Sequence, residues 1–168
     1  MVLIQSRAQF SNSRKMETPL VPNEKIEASA EGEVRVNVTH YRELIGMLNH
    51  IATHTRPDIA LSLSKLSQFQ TDPCIKHLNL VHHVIRYLHN TIHYKMWLNG
   101  SNGSNGLNVR VFADASYAPD ASCEKNPDSE KEKVNFRSVT EVVSMVGDAV
   151  VGWSSKKQSI AVSSSFLA

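Results

Sequence analysis

The clearest pattern in the chain is a helical spacing of apolar residues between positions 39 and 95. Apolar side chains recur there at the i, i+3, i+4 and i+7 intervals that place them on one face of an α-helix. Short joints separate three such runs, so the pattern predicts a small bundle of three helices. The apolar positions are Tyr41, Leu44, Ile45, Leu48 and Ile51 in the first run, Ile59, Leu63, Leu66 and Phe69 in the second, and Leu78, Val81, Val84, Ile85 and Leu88 in the third.

Each predicted helix is preceded by residues that favour a helix start. Thr39 has the side chain of a typical N-cap for the first helix. Pro57 suits the first turn of the second, and the carboxylate of Asp58 favours the positive end of the helix dipole. Residues 72–73 (DP) are expected to open the third helix.

The spacing of apolar residues changes from helical to strand-like near residue 109. Residues 99–106 (NGSNGSNG) have nothing to bury and predict a flexible linker. Val109, Val111 and Ala113 then alternate with their neighbours. Three further β-branched segments follow at 139–146, 149–153 and 159–162, separated by turn residues that include Lys156 and Lys157.

Together these patterns predict an α+β protein with its helices first and an antiparallel sheet after them. The expected divisions are a loosely structured, polar segment over 1–38, a helical region over 39–95, a linker over 96–108 and a sheet domain over 109–168. Trp153 lies in an apolar strand and is expected in the core.

Charge, cysteine content and hydrophobicity exclude few classes of function. The net charge of +2 and the pI of about 8.6 are too mild to establish nucleic-acid binding. Cys74 and Cys123 form no CxxC pair, which argues against a disulfide framework or a zinc site. No apolar run approaches the length of a membrane helix, so we expect an intracellular protein, cytoplasmic or nuclear, with no membrane partner.

Six basic residues outnumber three acidic residues in the helical region. Arg56, Lys65 and Arg86 are candidate nucleic-acid contacts, although an ordinary solvated helix face explains the same charges, and Arg56 can instead pair locally with Asp58. All eight histidines fall between positions 40 and 93. The tightest group is His82, His83 and His89, which lacks the cysteine or carboxylate spacing of a metal site, so polar helix positions explain it better.

Several blocks resemble one family in the same order. Residues 41–48 (YRELIGML), 55–60 (TRPDIA), His77 followed by 84–88 (VIRYL), 112–118 (FADASYA) and 153–158 (WSSKKQ) are similar to motifs of copia-type LTR retrotransposon Pol polyproteins. The resemblance covers roughly residues 41 to 164 and implies a reverse-transcriptase thumb- or connection-like helical region, followed by an incomplete RNase H-like sheet. The resemblance also implies that residues 1–38 correspond to the segment that follows the polymerase palm in the family.

The resemblance implies that both catalytic centres of the parent family are incomplete here. The family polymerises DNA with an Asp-Asp pair, and this sequence contains none. Its RNase H centre holds Mg²⁺ with about four carboxylates, of which Asp114 matches the first. Phe166 stands where the next carboxylate is expected. Asp114 is therefore an inherited catalytic and metal position in an incomplete site, and we expect no activity and no cofactor in this chain alone.

Two other roles stay open. The basic helical region can bind an RNA–DNA hybrid or double-stranded nucleic acid without cleaving it. Alternatively, the chain can be an interaction protein that docks on an intact retrotransposon polymerase.

Overall fold

The computed structural model describes residues 15–22, 24–98, 108–116, 122–124, 133–135 and 138–158. Within these ranges it contains three α-helices and an open three-stranded antiparallel sheet, which confirms the predicted α+β class. The chain divides into two compact units, Met1–Lys95 and Met96–Ala168. The predicted linker at 99–106, the predicted strand at 159–162 and Phe166 lie outside the described residues.

All three predicted helices form in the first unit. The first, α1, spans Val38–His54, α2 spans Ala60–Leu66 and α3 spans Ile75–Asn90. Short 3-10 turns, Pro57–Ile59 and Ser67–Phe69, flank α2. The second apolar run is therefore only partly α-helical, because its two ends tighten into 3-10 geometry.

Two of the predicted helix starts are wrong by two residues. Thr39 does not cap α1, because Asn37 occupies the N-cap and its Oδ1 accepts from the His40 N–H at 3.1 Å. Residues 72–73 precede the third helix rather than open it, and Cys74 is its N-cap. Pro57 takes the predicted first-turn position, although in a 3-10 turn rather than in an α-helix.

The apolar faces of the three helices meet in one core. Tyr41 is fully buried in it, and its hydroxyl donates to the carbonyl of Leu66 at 2.9 Å. This bond satisfies a polar group that would otherwise be costly to bury. The buried members are Tyr41, Leu44, Ile45, Leu48, Ala52, Ile59, Leu63, Leu66, Val81, Val84, Ile85, Tyr87 and Leu88.

Residues 24–36, called the strap below, lie against the start of α3. Arg35 and Cys74 form an isolated antiparallel bridge. The Val36 N–H donates to the Pro73 carbonyl at 3.1 Å, and the Ile75 N–H donates to the Val34 carbonyl at 3.0 Å. The later part of the polar segment expected over 1–38 is thus held to the helical unit by backbone pairing.

The second unit contains five described strands. They are β1 (Val109–Ser116), β2 (Ser122–Glu124), β3 (Lys133–Asn135), β4 (Val139–Val146) and β5 (Ala149–Lys157). The larger sheet has the antiparallel order β1-β4-β5, and β2 pairs with β3 in a separate ribbon. The strands predicted at 109–113, 139–146 and 149–153 all form in the larger sheet.

The connection between β4 and β5 is a tight turn at Gly147, whose φ of 61° lies in the left-handed region that glycine tolerates best. After the turn, β5 continues to Lys157. Lys156 and Lys157 are therefore strand residues, paired with Thr140 and Val139, and their prediction as turn residues is wrong. The sequence signal misled because lysines are common in turns and also tolerated in edge strands.

The larger sheet carries exposed apolar side chains. Phe112, Val143 and Trp153 are directly opposite one another across the three strands and so share one face. Phe112 is 55% exposed and Val143 37%, while Trp153 is half-buried rather than a core residue as predicted. No helix in the described part of the chain is long and apolar enough to cross a membrane.

Candidate functional site

Arg56 is the most extensively bonded of the predicted nucleic-acid contacts. Its Nε and Nη2 donate to the two carboxylate oxygens of Asp58, at 3.0 and 2.7 Å. Its Nη1 donates to the Thr91 carbonyl at 3.1 Å, and Nη2 also donates to the Thr91 hydroxyl at 2.6 Å. The predicted local pair with Asp58 is confirmed, and the same guanidinium also binds the residue that ends α3.

Aromatic rings complete the surroundings of Arg56. The guanidinium carbon lies 5.5 Å from the centre of the Tyr87 ring and 5.6 Å from that of Tyr94, within the range of cation–π attraction. The Tyr87 hydroxyl donates to Asp58 at 2.7 Å. Arg56 therefore connects the joint before α2 to the last turns of α3.

The ionisation of this group follows from its bonds. Burial favours the neutral form of Asp58, but the hydrogen bonds from Arg56 and Tyr87 outweigh burial and lower the pKa of the carboxyl. Burial opposes the charge on Arg56 as well, and bonding to Asp58 outweighs it and raises the pKa of the guanidinium. Only 11% of the Arg56 side chain is exposed, so its donors serve the fold, and its predicted contact with nucleic acid stays a prediction.

Arg86 lies in a different environment on α3. It is half-buried, and its Nε is a buried donor without a hydrogen-bond partner in the part of the chain that the structure describes. Two other buried side-chain nitrogens without a partner, His89 Nδ1 and Asn90 Nδ2, belong to residues three and four positions further along the helix. Residues at these spacings are neighbours on one helix surface.

His82, one turn before Arg86, extends the same surface. Burial is the main reason that the pKa of His82 is lowered, and the positive charges of Arg86 and His40 lower it further. We call His82, Arg86, His89 and Asn90 the α3 donor face. Arg86 supplies the positive charge of this face, and an anionic oxygen would complement that charge and accept hydrogen bonds from its unpaired donors.

Lys65, the third predicted contact, lies in the last turn of α2 and is half-buried. A cation at this end of a helix is favoured by the helix dipole. Lys65 therefore has a structural reason to occupy its position besides any contact with phosphate. Its predicted role in nucleic-acid binding stays a prediction.

The histidines do not form a metal centre among the described residues. No group of three or more histidine, cysteine or acidic side chains there could hold a metal ion. His83 instead bonds the Thr18 carbonyl through Nε2 at 2.9 Å. Since a carbonyl only accepts, Nε2 carries a proton, and His83 holds residue 18 to α3.

Asp114 lies in the middle of β1 in the second unit, whereas Arg56, Lys65 and Arg86 belong to the first unit. Its side chain is exposed, and Oδ1 accepts from the Ala115 N–H at 2.9 Å. Glu141 of β4 is directly opposite Asp114, and Ser155 of β5 is opposite Glu141. The Ser155 hydroxyl donates to Glu141 Oε1 at 3.1 Å.

Glu141 was missed by sequence reasoning. The register of β1 and β4 would have revealed it, because the register of two antiparallel strands determines which residues are opposite each other. Without the loop structure that sets the register, however, Glu141 could not be assigned to Asp114. The two carboxylates share one face and repel one another, and they are too few to form the four-carboxylate centre that the resemblance implies.

Comparison with known proteins gives several relatives that are transposon proteins. The chain is 29% identical over 160 residues to the retrovirus-related Pol polyprotein from transposon RE1 of Arabidopsis thaliana, and 28% identical over 160 residues to that from transposon RE2. It is also 29% identical over 152 residues to the transposon Ty5-1 protein of Saccharomyces cerevisiae. No family model and no solved structure matches the chain.

The alignments cover nearly all of this chain but only part of each relative. The RE1 and RE2 alignments cover 95% of this chain but 10% of each polyprotein. The Ty5-1 alignment covers 90% of this chain and 44% of that protein. The chain thus spans about a tenth of the length of the polyproteins that it matches.

Proposed function

We propose that this chain, a relative of the Pol polyproteins of retrotransposons, binds nucleic acid through its helical unit and does not cleave it. The predicted resemblance to retrotransposon Pol is confirmed by these relatives, and the chain is a retrotransposon-derived Pol region. We also propose that the parent element is of copia type, that the helical unit is like a reverse-transcriptase thumb or connection, and that the sheet is RNase H-like.

The α3 donor face is the observation that carries the binding proposal. Arg86 Nε, His89 Nδ1 and Asn90 Nδ2 have no hydrogen-bond partner in the described part of the chain. Unsatisfied buried donors such as Arg86 Nε and Asn90 Nδ2 are unfavourable by about 1–3 kcal/mol each, so this part of α3 favours a ligand that accepts hydrogen bonds. Phosphate oxygens of a nucleic-acid backbone are such acceptors, and they also complement the charge of Arg86.

The sheet supports binding without hydrolysis. Two-metal hydrolysis of a phosphodiester requires a set of carboxylates that holds both ions. Among the described residues, Asp114 has one carboxylate opposite it, that of Glu141, and no group of three ligands assembles. The described residues therefore do not fit the Mg²⁺ centre of the parent family, and no catalytic step is derived from them.

Binding to a short RNA–DNA hybrid, followed by fluorescence anisotropy, tests the proposal. Wild-type protein is expected to bind, and Arg86→Ala is expected to weaken binding by about fivefold, the order of one charge-assisted phosphate contact. Lys25→Ala is the matched control, because it removes one positive charge from an exposed position of the same unit. Equal affinities for the two variants would contradict a role for the α3 donor face.

Cleavage is tested separately, with a labelled hybrid and Mg²⁺ at millimolar concentration. We expect the hybrid to remain intact over hours at saturating protein. Cleavage products that disappear in the Asp114→Asn variant would overturn the proposal that the sheet is inactive.

A second function is favoured by the exposed apolar side chains of the sheet. Phe112 is 55% exposed and Val143 37%, both lie on one face of the sheet, and exposed apolar patches often mark protein interfaces. Docking on an intact retrotransposon polymerase would cover them. Co-purification with such a polymerase after nuclease treatment, lost in Phe112→Ser, would support this function. Loss of co-purification on nuclease treatment would favour nucleic-acid binding instead.

A further inference from the structure

His77, which belongs to one of the family-like sequence blocks, is fully buried at the start of α3. Its Nδ1 accepts from the backbone N–H of Cys74, the N-cap residue, at 3.2 Å. Its Nε2 bonds the carbonyl of Glu27 in the strap at 2.8 Å. One imidazole therefore caps the helix on one side and binds the strap on the other.

These two bonds determine the protonation of the ring. A backbone N–H only donates, so Nδ1 must present a lone pair to Cys74 and carries no proton. A backbone carbonyl only accepts, so Nε2 must carry the proton that binds Glu27. Only the neutral tautomer protonated at Nε2 satisfies both partners.

We propose that His77 is a proton-controlled latch that holds the strap on the helical unit at neutral pH and releases it in mild acid. The function lies outside nucleic-acid binding and does not depend on it. His77 is not part of the apolar core or of the candidate sites described above, and the latch gives this buried histidine a role.

A second proton on His77 would disrupt the site in two ways. It would place an N–H at Nδ1 against the Cys74 N–H, so that the capping bond is lost. It would also place a positive charge in a buried position. The Cys74 Sγ lies 3.3 Å from Nδ1, but a thiol is a weak acceptor and does not replace the backbone bond.

The groups around His77 come from several elements. The ring stacks on Phe69 of the second 3-10 turn, with ring centres 4.2 Å apart. Two ion pairs join the strap to α3 and the residues before it: Lys76 with Glu33 at 2.8 Å, and Arg35 with Asp72 at 2.7 Å. The titratable and charged groups facing this region are Glu27, Glu33 and Arg35 of the strap, Asp72 and Cys74 before α3, Lys76 of α3 and Tyr41 of α1.

Burial is the main reason that the pKa of His77 lies below its ordinary value of 6.5, and the charge of Lys76 lowers it further. The Glu27 carbonyl and the carboxylates of Glu33 and Asp72 act in the opposite direction. Because the folded pKa is depressed, the stabilisation is fully present above pH 6.5 and is lost as the pH falls below that value.

Release would free the strap from the start of α3. Its backbone bonds, Val36 to Pro73 and Ile75 to Val34, lie on either side of Cys74. Ser29 adds a bond from its hydroxyl to the Asp72 carbonyl at 2.7 Å. Loss of the His77 capping bond therefore weakens the start of α3, where the strap is bonded. The apolar core around α1 does not include this bond.

Amide hydrogen exchange of the full chain at pH 7.5 and 5.5, corrected for intrinsic rates, tests the latch. Amides of the strap and of Ile75 are expected to exchange about fivefold faster at pH 5.5, the factor that corresponds to a lost helix cap. Amides of residues 44–52 in α1 are expected to keep their protection. Unchanged strap exchange, or equal acceleration throughout α1, would overturn the proposal.

Two variants separate the latch from the other histidines. His77→Gln keeps one acceptor and one donor, in the position where capping boxes use glutamine, but it does not titrate. It is expected to abolish the pH effect on the strap. His83→Gln, on the same helix, is the matched control and is expected to retain it.

The ring of His77 in the wild-type protein provides a measurement that does not rely on a variant. Its NMR resonance is expected to titrate below pH 6.5, together with the change in strap exchange. Titration of the ring without any change in strap exchange would contradict the latch, even if His77→Gln failed to fold.

Discussion

Arg56 resembles a nucleic-acid contact in the sequence and acts as a structural clamp in the fold. Its neighbour Asp58, two positions away, was predictable as a partner because short ion pairs near a helix start are local. Thr91 and Tyr87 were not, since they follow 35 and 31 residues later and only the packing of α3 brings them to the guanidinium. Local partners can be inferred from spacing, whereas distant ones require the tertiary structure.

Removing this clamp should destabilise the helical unit. Arg56→Ala removes two of the hydrogen bonds to Asp58 and both bonds to Thr91 at the end of α3, and we expect it to lower the free energy of unfolding by about 2–3 kcal/mol. Arg56→Lys should restore only part of the loss, because an ammonium cannot reproduce the two-pronged geometry. Urea unfolding followed by circular dichroism measures both.

The matched control for the clamp is Arg42→Ala. Arg42 is an exposed arginine of α1 whose Nε donates to the Gln70 carbonyl at 2.9 Å. Its loss should lower the free energy of unfolding by less than about 1 kcal/mol. Similar losses for Arg42→Ala and Arg56→Ala would show that Arg56 is not a clamp.

At the scale of elements, apolar spacing predicted the helices better than it predicted their ends. The three apolar faces extend over 57 residues, and most of their members form the observed core. Ile51 and Leu78 are only partly buried against that core, and Phe69 lies outside it. A helix start depends instead on a single hydrogen bond. Both Asn37 and Thr39 have side chains that can form it, and the sequence does not distinguish them.

The two candidate caps of α1 can be distinguished by substitution. Asn37→Ala removes the bond to the His40 N–H and should lower the free energy of unfolding by about 1 kcal/mol. Thr39→Ala alters an exposed residue in the first turn and should change it by less than about 0.5 kcal/mol. Thermal unfolding measures the difference, and the reverse order would restore Thr39 as the cap.

The sheet shows a different limit of sequence reasoning. Strand positions followed from alternation and β-branching, and the strand over 139–146 has the predicted bounds. The pattern did not predict which residues of this strand pair with its neighbours, because the register depends on the connecting loops. The row of Asp114, Glu141 and Ser155 was therefore visible only in the structure.

At the scale of the whole molecule, the order of helices before strands was predictable because the period of the apolar residues changes once along the chain. The division into two compact units is consistent with that change. The resemblance to retrotransposon Pol came from motifs in a fixed order, and relatives at 28–29% identity over 160 residues confirm it.

The dependence of hybrid binding on salt tests the central claim most directly. If Lys65 and Arg86 each neutralise one phosphate, the logarithm of the association constant should fall with the logarithm of salt concentration with a slope of roughly −2. Arg86→Ala should reduce the magnitude of that slope by about 0.9, while Lys25→Ala should leave it unchanged. Binding that does not depend on salt, or the same slope in wild type and Arg86→Ala, would contradict the account.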